Sequence, residues 1–194
     1  MPCWACPAEP APFELVCAAC GAPQPAPPGE DLFAALGLPR RFAVDPAELE
    51  HCWKERARAV HPDRFARAAP SSRRIASARS ALLHQAYRTL REPRSRAAYL
   101  ISILGCGPGA PSPALLEEQL ALRERLASRR VAGDGPALRQ AAEEIGNRLA
   151  ALDLRVATAL AAEEPGEAAL REAAALLAEA RLLERALEAA SAIA

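Results

Sequence analysis

Proline placement constrains this 194-residue chain more than any other feature. Its eighteen prolines and ten glycines fall largely in clusters, and between the clusters apolar residues return at three- and four-residue spacing instead of alternating. That pattern describes helices with their stops already written in. Pro23, Pro25, Pro27 and Pro28, followed by Gly29, can neither continue a helix nor pair in a central strand, so they read as a semi-rigid linker closing a small N-terminal module. Gly107 to Pro113 reads as a second linker. The expected architecture is all-α in two units, preceded by a small tetracysteine module. Residues 1–30 hold the module and its linker, residues 31–106 a four-helix domain, and residues 107–194 a three-helix bundle. No strand is expected outside the cysteine module.

Within 31–106, Asp31 caps a short apolar turn, Leu32 to Leu36, which Gly37 and Pro39 end. Asp45-Pro46 opens a second helix with a side-chain cap, proline at the first helical position and Glu48 in the first turn. Its inward stripe is Leu49, Trp53, Val60 and part of Ala57, with Lys54 and Arg58 on the opposite side. Arg56 falls inside the apolar stripe and must snorkel from an edge. Pro62 disfavours helix at His61 and stops the element there. Pro70-Ser71-Ser72 reads as a loop, after which Ile75, Ala78, Leu82, Leu83, Ala86 and Leu90 stripe a helix from about Arg73 to Arg91. A fourth, short helix is expected from Ser95 to Leu104. The last segment predicts helices at roughly 114–131, 136–163 and 167–192, the middle one carrying Leu138, Ile145, Leu149, Leu152, Val156 and Leu160 at bundle spacing.

Composition bears on partners. Hydrophobic residues make up 51% and aromatics only 4%, so the core is built from Leu and Ala. Net charge is zero but unevenly spread: −3 over residues 1–30, +7 over 31–106 and −4 over 107–194. The middle segment therefore suits an acidic partner. No run of 18 apolar residues suggests a membrane span, and the N-terminus lacks a basic region followed by an apolar stretch. The expectation is a cytoplasmic protein with neither membrane nor nucleic acid as partner, in a compartment where clustered thiols hold metal more often than they form disulfides.

The cysteine pattern is Cys3-x2-Cys6, ten intervening residues, then Cys17-x2-Cys20. Each pair supplies two thiolates from one tight turn, which is what a tetrahedral structural zinc site needs. About twenty residues bury too little apolar surface to fold unaided, so metal is the natural source of stability. Tetrathiolate iron and four redox-active thiols are the alternatives. Cys52 and Cys106 stand apart as inert thiols, and His51 and His84 have no partner at metal or triad spacing.

Val60-His61-Pro62-Asp63-Arg64-Phe65 lies between the second and third helices. Read as an acid/base dyad, His61 and Asp63 lack a nucleophile, an oxyanion donor or a phosphate loop, so no enzyme is expected. Together with Asp31-Leu32-Phe33, Leu36-Gly37-Leu38-Pro39, Gln85 to Pro93 and Arg96-Ala97-Ala98-Tyr99-Leu100, the stretch resembles the J-domain of HscB, the J-type co-chaperone family of iron–sulfur cluster assembly. The resemblance runs through Glu118 to Glu124 and covers about residues 31–190. The cysteine module resembles the extra N-terminal zinc domain of some eukaryotic members.

That resemblance implies a chain that binds no nucleotide itself but stimulates ATP hydrolysis by a DnaK-class, HscA-like chaperone. His61, Pro62, Asp63, Lys54, Arg58 and Arg64 would make the contacts. It also implies delivery of an IscU-like scaffold, promoting cluster transfer. On the helix beginning near Pro113, Leu115, Gln119, Leu122 and Leu126 share a face, while Leu116 and Leu120 are rotated by about 100–140° from it. On the last helix Ala173, Leu176, Ala180 and Leu187 share a face and Leu182 points about 150° away. Leu116, Leu120 and Leu182, with Arg123 and Glu124, match the family's scaffold patch. Ala121 and Ser128 stand where the family pattern has acids, and Leu182 where it has an aromatic. The alternatives are a zinc-ribbon J-protein adaptor for an unrelated client and a thiol redox sensor.

Overall fold

The computed structural model describes residues 2–191. Among them lie seven α-helices: α1 (Leu32–Leu36), α2 (Pro46–Ala59), α3 (Pro70–Arg91), α4 (Pro93–Ile103), α5 (Pro113–Val131), α6 (Gly135–Ala159) and α7 (Glu167–Ser191), with a 3-10 helix, Pro62–Phe65, between α2 and α3. Among the described residues the regular structure is all-helical apart from one antiparallel bridge, Val16 to Pro23, inside the cysteine module. No helix among the described residues is long and apolar enough to cross a membrane.

The chain divides into two compact units, Met1–Arg96 and Ala97–Ala194. The division falls inside α4, upstream of the Gly/Pro segment where the sequence suggests a boundary. The cysteine module is part of the first unit and not a body of its own. The reason lies in two long-range pairings: the Glu30 carboxylate meets the Arg79 guanidinium on α3, and Arg56 on α2 donates to the Phe13 carbonyl at 3.0 Å.

In the first unit, local rules set the elements. The Asp31 carboxylate accepts the Ala34 N–H at 2.8 Å, and Gly37 closes α1 in the left-handed region at φ 71°, which glycine adopts without steric cost. The Asp45 carboxylate accepts the Ala47 N–H at 3.0 Å and Pro46 occupies the first turn of α2. Leu49 and Val60 are fully buried. One expectation changes: α3 begins at Pro70 and not near Arg73. Proline pre-sets the first helical φ and has no N–H to orphan, so it starts this helix where it looks like part of a loop.

The buried seam of α3 is Ser72, Ala76, Arg79, Leu83, Ala86 and Leu90. Ile75 and Leu82 are only half-buried and Ala78 is exposed, so the seam's N-terminal half sits about one residue round from the apolar choice. Arg96 is buried too. It donates to the Leu90 carbonyl at 2.6 Å, satisfying an acceptor in the last turn of α3, and stacks over Phe42 with its guanidinium 5.0 Å from the ring centroid.

In the second unit α7 packs on both α5 and α6. Leu138, Ile145, Leu149, Leu152, Val156 and Leu160 are all buried, as their spacing predicts, although α6 ends at Ala159 and stops short of residue 163. Arg148 on α6 ties all three helices, donating to Glu118 on α5 at 2.5 Å and to Glu179 on α7 at 2.6 Å. Gly109 lies so close to α7 that a Cβ there would stand 2.2 Å from the Ala174 carbonyl oxygen. Only glycine permits that approach.

Candidate functional site

The two cysteine knuckles converge. All four Sγ atoms lie within 4.8 Å of one another, with Cys3 and Cys20 at 3.7 Å and Cys6 and Cys17 at 3.8 Å. Sulfurs about 2.3 Å from a tetrahedral ion stand about 3.8 Å apart, so the donor set fits a four-coordinate thiophilic metal with no position left for water. Polar groups around the sulfurs are arranged to favour thiolate. The Ala5 N–H donates to Cys3 Sγ at 3.4 Å and the Gln24 amide does so at 3.3 Å. Gln24 is itself buried and anchored on the Ala22 carbonyl. Partners of this kind orient ligands and tune their basicity, and nothing in the residue spacing reveals Gln24 in that role.

Electrostatics agree with the geometry. Burial pushes the Cys3 thiol up, but N–H donors from Ala5 and Cys6, with Gln24 and the Cys20 thiol, outweigh it and bring the group down to about 6. Cys20 goes the other way, to about 12: the Ala22 N–H favours its thiolate, yet desolvation and the three neighbouring thiols keep its proton on. A divalent ion held among the four sulfurs would take the place of the proton that Cys20 retains. The cluster therefore fits a zinc-binding module.

The second candidate is the turn after α2. Val60 caps α2 and is fully buried, while His61 at 57% and Asp63 at 90% side-chain exposure project into solvent. Pro62 starts the 3-10 helix, and the Asp63 N–H donates weakly to His61 Nδ1 at 3.4 Å. Phe65 is buried and fixes the far end of the turn. Arg64 reaches back to the Arg58 carbonyl at 3.3 Å, so the last turn of α2 is bound to the loop that follows. Lys54 and Arg58 are exposed, with Lys54 also bridging Glu50 at 2.6 Å. Trp53 stacks on Tyr87 with centroids 4.4 Å apart, joining α2 to α3 behind the basic face.

The third candidate lies on α5. Leu116 and Leu120 are 47% and 59% exposed, large apolar side chains one turn apart facing solvent. Arg123 and Glu124 are exposed beside them in sequence, and Leu182 on α7 is half-buried. Below them Gln119 and Leu126 are buried. What residue patterns miss is a set of buried polar groups: the Arg79–Glu30 pair, Arg96, and Gln119, whose amide nitrogen and oxygen have no partner. Arg79 has one visible signal, since it shares the i, i+3, i+4 register of Ala76, Leu83 and Ala86.

A helical hairpin of α2 and α3 closed by an exposed His-Pro-Asp turn defines a J-domain protein. No family model matches the chain. Among curated proteins it is 43% identical over 102 residues to a co-chaperone HscB homologue of Bordetella pertussis, covering 50% of this chain and 60% of that one. It is 40% identical over 116 residues to an HscB homologue of Aromatoleum aromaticum, covering 57% and 66%. The crystal structure of human co-chaperone HscB superposes with a TM-score of 0.81 at 25% identity, over 95% of this chain and 94% of that one. The chain is thus similar to the HscB co-chaperones, in sequence over the matched stretch and in fold. The matched stretch spans about 60% of the length of the first of these curated relatives.

Proposed function

We propose that the chain is a J-type co-chaperone of iron–sulfur cluster assembly. Through His61, Pro62 and Asp63 it engages a DnaK-class, HscA-like chaperone and stimulates that partner's ATPase. The observation that carries the reading is the solvent-facing His-Pro-Asp turn at the end of α2, flanked by the buried Val60 and Phe65, in a chain similar to HscB. Lys54, Arg58 and Arg64 supply long-range attraction to an acidic surface, consistent with the +7 charge of residues 31–106. Leu116, Leu120, Arg123, Glu124 and Leu182 bind an IscU-like scaffold. Two exposed leucines at i, i+4 support this, because an apolar pair on a helix face is what a partner surface buries. Residues 31–106 act as the chaperone-docking domain, residues 107–194 as the client-docking bundle, and residues 1–30 as a structural zinc module held by Cys3, Cys6, Cys17 and Cys20.

The test is a steady-state ATPase assay on the cognate chaperone with and without scaffold, comparing wild type with His61→Gln. Stimulation should fall by at least about tenfold in the variant, since a specific polar contact of this kind is worth about 1.4 kcal/mol or more. An unchanged rate would overturn the reading.

A further inference from the structure

The first unit contains a charge arrangement that residues 31–96 cannot complete by themselves. Arg79 lies in the middle of the α3 seam with its side chain 2% exposed, and its counter-ion Glu30, at 1%, comes from the end of the proline linker. The pairing is two-pronged, the second Nη donating to the other carboxylate oxygen at 3.0 Å. Arg56 belongs to the same cluster. Desolvation and the nearby Arg79 charge lower its pKa, and Glu30 opposes both. Arg56 donates from Nε to the Ala35 carbonyl on α1 at 2.6 Å and from an Nη to the Phe13 carbonyl at 3.0 Å. Phe13 sits between the two cysteine knuckles with a left-handed φ of 61°, a strained conformation for a residue with a side chain.

A buried guanidinium without its carboxylate is among the costlier defects a core can hold. Residues of the module thus supply what α2 and α3 need, and α2 carries the His-Pro-Asp turn at its end. Linkage runs both ways: whatever holds the module folded steadies the α2–α3 hairpin, and the hairpin favours the module's metal-competent form by the same factor.

We propose that metal occupancy of the cysteine module is coupled to the order of the chaperone-docking hairpin through the Glu30–Arg79 pair and the Arg56–Phe13 hydrogen bond. The proposal rests on the zinc reading above. It makes the module a conformational prop whose loading state is transmitted to the turn, and not an independent appendage.

The experiment uses the full chain. Metal content is measured first by emission spectroscopy, and hydrogen exchange is then followed by mass spectrometry before and after EDTA treatment. Metal removal should accelerate amide exchange in α2 and in α3 around Arg79 by about tenfold or more, besides its effect on residues 2–30. Acceleration confined to residues 2–30 overturns the coupling while leaving the metal reading intact, whereas a protein that holds no metal overturns both. Two variants test the charge argument without metal. Glu30→Leu should lower the Tm by about 10 °C or more by stranding Arg79, and Glu30→Leu combined with Arg79→Leu should recover most of that loss. A single variant as stable as wild type sinks the proposal. Should it fail to fold, recovery in the double variant still supports the pair, and a double variant that also fails counts against it.

Discussion

Gln119 occupies the inner face of α5, 4% exposed, with neither amide atom partnered. An unpartnered buried amide weakens a core by about 1–3 kcal/mol relative to an apolar group of similar size. Gln119→Leu should therefore raise the stability of the bundle by about 1–2 kcal/mol, read as a higher urea midpoint at unchanged m-value. Gln119 is legible on the inward face from its spacing with Leu115, Leu122 and Leu126, but its lack of partners is not, because hydrogen-bond satisfaction depends on what the neighbouring helices bring within reach. The four cysteines are the opposite case. Two tight turns of the same residue pattern leave few ways to arrange the sulfurs, so their convergence is readable from spacing alone. At His61 and Asp63 the structure adds their exposure: both side chains face solvent beside a buried Val60, as the proposed docking role requires.

The helices themselves follow from local chemistry, as the carboxylate caps at Asp31 and Asp45 and the prolines at the helix starts attest. The exceptions were instructive. Pro70 begins α3 because a proline followed by serines suits the first turn of a helix as well as a loop. The stripe of α3 rotated because apolarity favoured Ile75 and Leu82, whereas packing placed Ala76 and Arg79 inside. Among the bundle helices, Arg148 supplies the cross-brace. Its hydrogen bond and charge hold the Glu118 carboxyl below the usual carboxylate range, with Arg125 adding to the effect and burial opposing it. A carboxyl depressed in the folded state contributes stability that is full above its unfolded value, about 4.3, and is lost as pH falls through the folded value. Glu118 is half exposed, so solvent screening keeps this contribution below about 1 kcal/mol. The stability difference between wild type and Glu118→Gln should accordingly be present at pH 7 and begin to fall only below about pH 4.3, disappearing as pH passes down through the depressed folded value, measured by urea unfolding across the acid range.

Taken whole, the molecule carries its two proposed docking surfaces on different compact units, residues 1–96 and residues 97–194. The two activities should then separate. Leu116→Ser with Leu120→Ser should weaken scaffold binding by about tenfold or more in calorimetry, as loss of two apolar anchors does, and leave scaffold-free stimulation of the chaperone ATPase unchanged. His61→Gln should do the reverse. A variant set in which both activities fall together would place the surfaces on one site. What the amino-acid sequence determined by itself is what short stretches of chain set: most helix starts and stops, the two cysteine knuckles, the His-Pro-Asp turn and the buried stripe of α6. These depend on backbone geometry, missing N–H groups and side-chain caps, which act over a few residues. Only the tertiary structure decided that the cysteine module joins the first unit, that Arg79 is buried and that Glu30 is its counter-ion. Those outcomes pair groups 49 residues apart, and their energy exists only once packing has removed water from both charges at the same place.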